Sequence, residues 1–397
     1  MKLALISDSH FDEHSRFAEC IAIHSWIASQ CAARGVDLVL HGGDVYERKS
    51  TPRERDAVAA WVQSLAAIAP VVIVRGNHDA LDDLPLLRRL QGAHPVTVVE
   101  SCAVVEAGGA VIACIGWPNK AHILARGAES HDASEAAAGD ALRNVIRSLG
   151  DQMHATIGGR PMPAVMLAHA MVRGSRVSVG QPLVGCDLEV GTDDLRMARA
   201  DLYALGHIHM AQAWRAGDAV SRDLGTADMV YPGSPRRTSY GETEPKSFVV
   251  ATFGKNGRLI DCEYVTTPAT PMVHVDGVYV PGDAWVAGHV RAQWDQSTVT
   301  GAEVRLRYAV ATEHRVAAKS AAADEARSMR TRGAVFVKVE ERVDVTTRSR
   351  APELATANTL AAKLDAYWRA RGTVPTAEQR AALITKLETI DTAEVAL

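Results

Sequence analysis

The chain has 397 residues, of which 47% are hydrophobic and 23% charged. That composition supports two or three packed domains and excludes a wholly disordered chain. A formal net charge of -4 excludes a globally basic nucleic-acid binder, so a polyanion has to be met by local basic patches or bound metal.

Six cysteines, Cys20, Cys31, Cys102, Cys114, Cys186 and Cys262, show no C-x-x-C spacing, and several lie in apolar runs. They read as core thiols in a reducing compartment. The N-terminal apolar stretch is too short for a signal peptide, and no apolar run approaches the ~20 residues of a membrane span. The expectation is a cytoplasmic protein without a membrane partner.

Leu3 to Ile6 reads as a strand, and it ends in Ser7-Asp8-Ser9-His10. A carboxylate and an imidazole two residues apart at a strand end can grip one divalent cation. The alternative is an Asp that caps the following helix, expected from about Ser15 to Ala33. Val36 to Leu40 is the second strand, leading into His41-Gly42-Gly43-Asp44-Val45-Tyr46. The two glycines permit a tight turn, and a carboxylate at Asp44 can bridge two metals. His41 is assigned a supporting or packing contact. Pro52 opens a helix to about Ala69. Val71 to Val74 reads as a buried parallel strand, and Gly76 lets the backbone turn into Asn77-His78-Asp79. In open α/β sheets ligands bind beyond the carboxyl ends of the strands, where these residues stand. This opening segment therefore reads as a parallel α/β start.

Asp82 to Leu90 is a leucine-rich helix, for core packing or a dimer contact. Short strands follow at 96–99, 103–106 and 111–115, then loop and helix over 127–148. Ala164 to Ala168 is a buried strand with His169 at its end, as ligand or as structural histidine. Val172 to Asp187, with Arg173 and Arg176, reads as a mobile substrate-facing loop. A short helix is expected over 193–200, and the strand Leu202–Leu205 ends in Gly206-His207-Ile208-His209. Residues two apart on an extended segment share a face, so both imidazoles can address one metal cluster. Two unrelated surface histidines are the alternative. Further strands are expected at 229–231, 247–253 and 262–265, with Arg236 and Arg237 after the first.

A boundary falls near Thr266–Pro271. Strands at 272–280, 285–294, 302–310 and 334–345 and a helix at 313–330 make a small α+β domain. Its Arg291, Arg305, Arg307, Arg315 and Lys319 form a solvated face or touch DNA. After a linker at Ser349–Pro352 come two amphipathic helices, about Glu353–Arg371 and Thr376–Ile390. They pack on the main body or hold a partner.

The candidate ligands Asp8, His10, Asp44, Asn77, His169, His207 and His209 all follow predicted strands. They offer oxygen and nitrogen and no thiolate, a set suited to two divalent ions such as Mn²⁺. Two such ions ~3.5–4 Å apart clamp a phosphate and activate water for in-line attack. His78 is left to protonate the leaving oxygen or stabilise the charged transition state, and Asp79 can orient it.

Asp-x-His, Gly-Asp, Gly-Asn-His-Asp, a His after a strand and Gly-His-x-His together resemble the calcineurin-like metallophosphoesterase superfamily, over residues 8–209. The resemblance implies a metallophosphoesterase β-sandwich flanked by helices. It also implies that Asp8, His10, Asp44 and His209 hold one ion, that Asp44, Asn77, His169 and His207 hold the other, and that His78 is the catalytic histidine. Phrases around His41–Tyr46, Ala204–His209 and Tyr231–Pro235, with Lys246-Ser247-Phe248, are similar to the SbcD nuclease family. That implies a nuclease domain over 1–268, a small α+β capping domain over 271–345 and a helical segment over 352–391 that binds a coiled-coil ATPase of SbcC type. It further implies a Mn²⁺-dependent exonuclease and endonuclease acting on DNA as a homodimer. Arg236 and Arg237 are the expected DNA contacts. The rivals are a free-standing phosphodiesterase of small nucleotides and a catalytically silent scaffold. Two departures stand out: Glu47 replaces a His or Asp of some members, and Ser9 replaces a bulky residue between Asp8 and His10.

Overall fold

The computed structural model describes residues 1–118, 131–181, 189–215, 227–282, 290, 293–344 and 359–394. The chain divides into two compact units, one of Met1–Val275, Gln293–Leu306 and Glu325–Val339, the other of Asp276–Ala292, Arg307–Asp324 and Glu340–Leu397.

The first unit opens with β1 (Lys2–Ile6), α1 (Phe17–Arg34), β2 (Leu38–His41), α2 (Pro52–Ala66), β3 (Val71–Val74), a 3₁₀ segment at Leu84–Arg89 and β4 (Val96–Val99). Pro85 sits at the start of the Leu84–Arg89 segment, which winds as 3₁₀ where an α-helix is expected from the leucine spacing. Thr51 caps α2 through its side chain, with Glu54 returning the bond to the Thr51 N–H. The chain continues through β5 (Cys102–Ala107), β6 (Ala110–Ile115), α3 (His131–Ile157), β7 (Ala164–His169), β8 (Met171–Val172), β9 (Glu189–Val190) and α4 (Thr192–Arg196). Then come β10 (Leu202–Gly206), β11 (Gln212–Trp214), β12 (Met229–Tyr231), β13 (Ser247–Phe253) and β14 (Leu259–Thr266).

Two six-stranded sheets result, ordered β14-β13-β1-β2-β3-β4 and β11-β12-β10-β7-β6-β5. Strands β1 to β4 run parallel, as do β12, β10, β7 and β6. The antiparallel strands lie at the sheet margins.

Side-chain alternation along each strand explains the layering. Leu3, Leu5, Leu40, Val72 and Val74 of the first sheet meet Ile112, Val165, Leu167 and Ala204 of the second in one buried core. The residues between them, Ala4, Ile6, Val39 and Ile73, face α1 and α2. On the far side Val111, Ala113 and Met166 pack on α3. A strand buried on both faces has no polar side to show, which is why these runs are apolar throughout. The expected β-sandwich flanked by helices is therefore the architecture found.

Residues 272–344 carry β15 (Met272–Val278), α5 (Gln296–Val299), β16 (Glu303–Ala311), α6 (Arg315–Thr331) and β17 (Phe336–Asp344), with sheet order β15-β16-β17. The strand expected at 285–294 falls mostly outside the described residues, as do Cys186, Arg291, part of the 172–187 loop and the 349–352 linker. Helices α7 (Leu360–Arg371) and α8 (Ala377–Glu394) close the described chain. Asp365 and Arg380 join them through two bonds of 2.6 and 2.7 Å. No helix among the described residues is long and apolar enough to cross a membrane. The five described cysteines are all unpaired, four of them buried.

Candidate metal and phosphoester site

The strand ends of both sheets converge. Parallel pairing places Ile6 beside His41 and Gly206 beside His169, so β1, β2, β10 and β7 end at two matched levels. The sheets approach so closely there that a Cβ on Gly206 would run into the Gly42 carbonyl, and one on Gly76 into Asp44. Only glycine fits at such contacts.

All seven candidate ligands come together. His10 Nε2 lies 2.9 Å from His209 Nε2. His169 Nε2 lies 2.9 Å from Asn77 Oδ1 and 3.4 Å from Asp44 Oδ2. His207 Nδ1 is 3.1 Å from the same Asn77 oxygen. Asp44 Oδ2 is also 3.9 Å from His10 Nε2, which puts Asp44 between the two sets of imidazoles. Asp8, His10 and His209 form one group with metal-holding geometry, and Asp44, His169 and His207 another.

Backbone strain marks the same residues. Six described non-glycine residues have positive φ, and four of them are Asp8 (53°), His10 (44°), Asp44 (53°) and His207 (105°). Such conformations cost on the order of 1–3 kcal/mol each and persist where the surroundings enforce them. Here the enforcement is visible: Asp8 N–H donates to the Gly43 carbonyl at 3.0 Å and His10 N–H to the Asp44 carbonyl at 3.1 Å. The His207 N–H donates to the Asp8 carboxylate at 3.1 Å, linking the two sheets.

The donor chemistry fits cations. His169 Nδ1–H donates to the Gly42 carbonyl at 2.6 Å, which turns Nε2 towards Asp44 and Asn77. In a neutral ring that nitrogen carries a lone pair and faces two further oxygen acceptors, an arrangement that calls for positive charge. Burial disfavours a charged His169, yet the Asp44 carboxylate outweighs it and holds the ring's pKa at about 9. Burial also works against charge on Asp44, but His169, His10 and His78 together keep it well below the usual carboxylate range. Burial raises Asp8. His209 is pushed well below the usual imidazole value by burial, by His10 and by Lys246. Divalent metals are ligated by neutral imidazoles and ionised carboxylates, so an ion bound here would displace the proton that Asp44 draws onto His169.

His78 stands at the rim, 38% exposed on its side chain. Its N–H donates to Asp44 Oδ1 at 2.8 Å and its ring Nδ1 to the Glu47 carbonyl at 2.7 Å. Asp79 acts on the loop's backbone rather than on the His78 ring: its oxygens accept from Tyr46 N–H at 3.0 Å and Gly76 N–H at 2.9 Å. Burial and the Asp44 charge raise Asp79 to about 6.

The arginines expected to meet DNA point inward instead. Arg236 is 1% exposed and donates to the carbonyls of His10 at 2.7 Å and Ser15 at 3.4 Å, so it braces the His10 loop. Arg237, half-buried, donates to the carbonyls of Glu242, Glu244, Ala269 and Thr270. The physical reason is that loop carbonyls shut away from water need donors, and a guanidinium brings several in one fork. Of the basic residues further on, Arg307 pairs with Glu340 and Arg315 with Glu341.

Three contributors were not assigned from sequence. Glu47 Oε2 lies 2.8 Å from His10 Nδ1. Burial works against charge on Glu47, yet the bond to His10 holds its pKa below the usual value. Its place three residues after Asp44 was the available signal. Gln181 clamps the last motif, donating to the His207 carbonyl at 2.6 Å and accepting from His209 N–H at 3.1 Å. Trp117 packs its ring 4.9 Å from His207 and 5.6 Å from His169.

A helix-flanked two-sheet sandwich with imidazoles and carboxylates gathered at its strand ends defines the metallophosphoesterase class. Residues 1–256 match the calcineurin-like phosphoesterase superfamily domain, and the chain belongs to that superfamily. It is accordingly a phosphoester hydrolase, of a superfamily that uses divalent metals. Over 301 residues it is 27% identical to the SbcD component of the SbcCD nuclease of Escherichia coli K12, covering 70% of this chain and 71% of that protein. The same figures hold for the corresponding SbcCD nuclease component of Escherichia coli O157:H7. Among solved structures it is similar to a dimetal phosphatase from Danio rerio, at 10% identity and a TM-score of 0.38, covering 67% of this chain and 98% of that one.

Proposed function

We propose that the chain is a metal-dependent DNA nuclease, the nuclease subunit of an SbcCD-like end-processing complex. The observation that carries the reading is Asp44, set between two imidazole groups and accepting the His78 backbone N–H. Asp8, His10, Asp44 and His209 would hold one ion and Asp44, Asn77, His169 and His207 the other, with Mn²⁺ the proposed metal. Bound there, the two ions supply charge neutralisation of a phosphodiester and an acidified water. The protein's own groups do the rest. Glu47 fixes the His10 ring, and the Glu47 carbonyl engages His78 Nδ1, which leaves His78 Nε2 to face substrate. From there a charged ring donates its proton to the leaving oxygen or stabilises negative charge.

Similarity to the SbcCD nuclease components over 301 residues supports DNA as the substrate and an SbcC-like ATPase as the partner. In this reading residues 1–268 are the nuclease domain, 271–345 the capping domain and 352–391 the ATPase-binding segment of a cytoplasmic homodimer.

The test is Mn²⁺-dependent release of nucleotides or short fragments from end-labelled linear duplex DNA, with a chelator control and His78→Ala alongside. Brisk hydrolysis of a small phosphodiester with intact DNA, both alone and with the ATPase, would instead assign the chain to small nucleotides.

A further inference from the structure

Ser9 lies between two candidate ligands, yet its side chain turns away from them. Its Oγ is 2.8 Å from His41 Nε2 and 2.9 Å from His24 Nε2. All three residues are buried. Their partners determine where every proton sits. The Gly43 N–H can only donate, so His41 Nδ1, at 3.2 Å, accepts. The neutral His41 ring therefore carries its proton on Nε2 and donates to Ser9. The Cys20 carbonyl can only accept, so His24 Nδ1, at 2.7 Å, donates. Its Nε2 is then the acceptor for the Ser9 hydroxyl proton. One consistent chain results: His41 Nε2–H to Ser9 Oγ, Ser9 O–H to His24 Nε2, His24 Nδ1–H to the Cys20 carbonyl.

We propose that Ser9, His24 and His41 are positioning residues, a proton-ordered chain that ties α1 to both metal-binding loops and holds Asp8, His10 and Asp44 in place. The proposal rests on the reading of those loops as the metal site. Two observations give the chain its task. Asp8, His10 and Asp44 each hold left-handed backbone that needs outside support. Ser9 sits between the first two, and His41 precedes Asp44 by three residues. The chain also runs through apolar surroundings. The Phe11 ring lies 4.5 Å from His24, and the Trp61 ring lies 4.6 Å from His24 and 5.8 Å from His41. A broken link there leaves a buried polar group unsatisfied, so the chain holds as a unit. Partners that orient ligands in this way are worth about 10–100-fold in metal affinity.

The experiment combines two readouts on the full chain. Nitrogen-15 spectra of the wild-type imidazoles should show His41 with its proton on Nε2 and His24 with its proton on Nδ1. Calorimetric Mn²⁺ titration should show Ser9→Ala and His24→Phe each weakening binding about 10–100-fold. The double variant should be no weaker than the worse single one, because either change breaks the same chain. His24→Gln, which keeps an acceptor for Ser9, should retain most of the affinity. The opposite tautomer at either ring, or unchanged affinity in Ser9→Ala, overturns the proposal. Should Ser9→Ala fail to fold, the wild-type spectra still decide. Absence of Mn²⁺ binding by the wild type would overturn the reading of the site itself, an outcome distinct from wild type and Ser9→Ala binding equally well.

Discussion

The sandwich and the C-terminal helix pair are built on opposite terms. In the sandwich, strands such as Val71–Val74 and Ala164–His169 are buried at every residue. Among the described side chains of α7 and α8, Ala366 is the one that is buried, while Tyr367 and Leu383 are each about two-fifths exposed, at 41% and 43%. Burial on both faces contributes about 25 cal/mol per Å² of apolar surface, enough to hold strained residues in place. Among the described side chains, α7 and α8 bury less apolar surface and hold a smaller reserve. A strained site thus needs the sandwich, whereas the helix pair keeps apolar surface open, which suits the proposed ATPase contact.

The sharpest way to break this contrast is at the site. His78→Ala should lower kcat on DNA by about 10²–10⁴-fold while Mn²⁺ binding by calorimetry stays near wild type. Loss of metal together with activity would make His78 part of the scaffold. Next in size is Leu40→Ala in the inter-sheet core, expected to cost about 2–5 kcal/mol in denaturant unfolding. A cost near zero would mean that the sheets do not support each other.

Acid tests the buried chain behind the site. Burial lowers His24 to about 3 from an ordinary value of 6.5. Between these values the unfolded state binds a proton that the folded state refuses. Stability from His24 is therefore fully present above about pH 6.5 and lost as pH falls towards 3, at up to about 1.4 kcal/mol per pH unit. His24→Gln should flatten that slope in unfolding measured from pH 4 to 7. The smallest effect is expected in α8, where Leu383→Ser should change stability by no more than about 0.5 kcal/mol. The same variant should weaken capture by the ATPase partner; a large stability loss instead would show that α8 is packed like the sandwich.

Much of the site was legible because its residues follow strand ends directly. Apolar runs at Leu3–Ile6, Val71–Val74 and Ala164–Ala168 announce buried strands, and the polar residue after each has nowhere to point but the common edge. Glu47 and Gln181 lacked such a position. Their roles depend on loops meeting across the fold, at His10 and at the His207–His209 segment. His24 carries no such signal, since nothing local tells a buried helix histidine from an exposed one.

By itself the sequence determined where the parallel strands of the core lie, the ligand types and their placement at strand ends, since side-chain period and glycine turns are local properties. Tertiary structure alone decided the direction of Arg236, whose charge suggested DNA but whose guanidinium serves the His10 carbonyl. It also decided the left-handed backbone of Asp8, His10 and Asp44 and the contacts that Ser9 makes with His24 and His41. These depend on distances between segments far apart in the chain, and a buried polar group takes whatever partner the packing brings within reach.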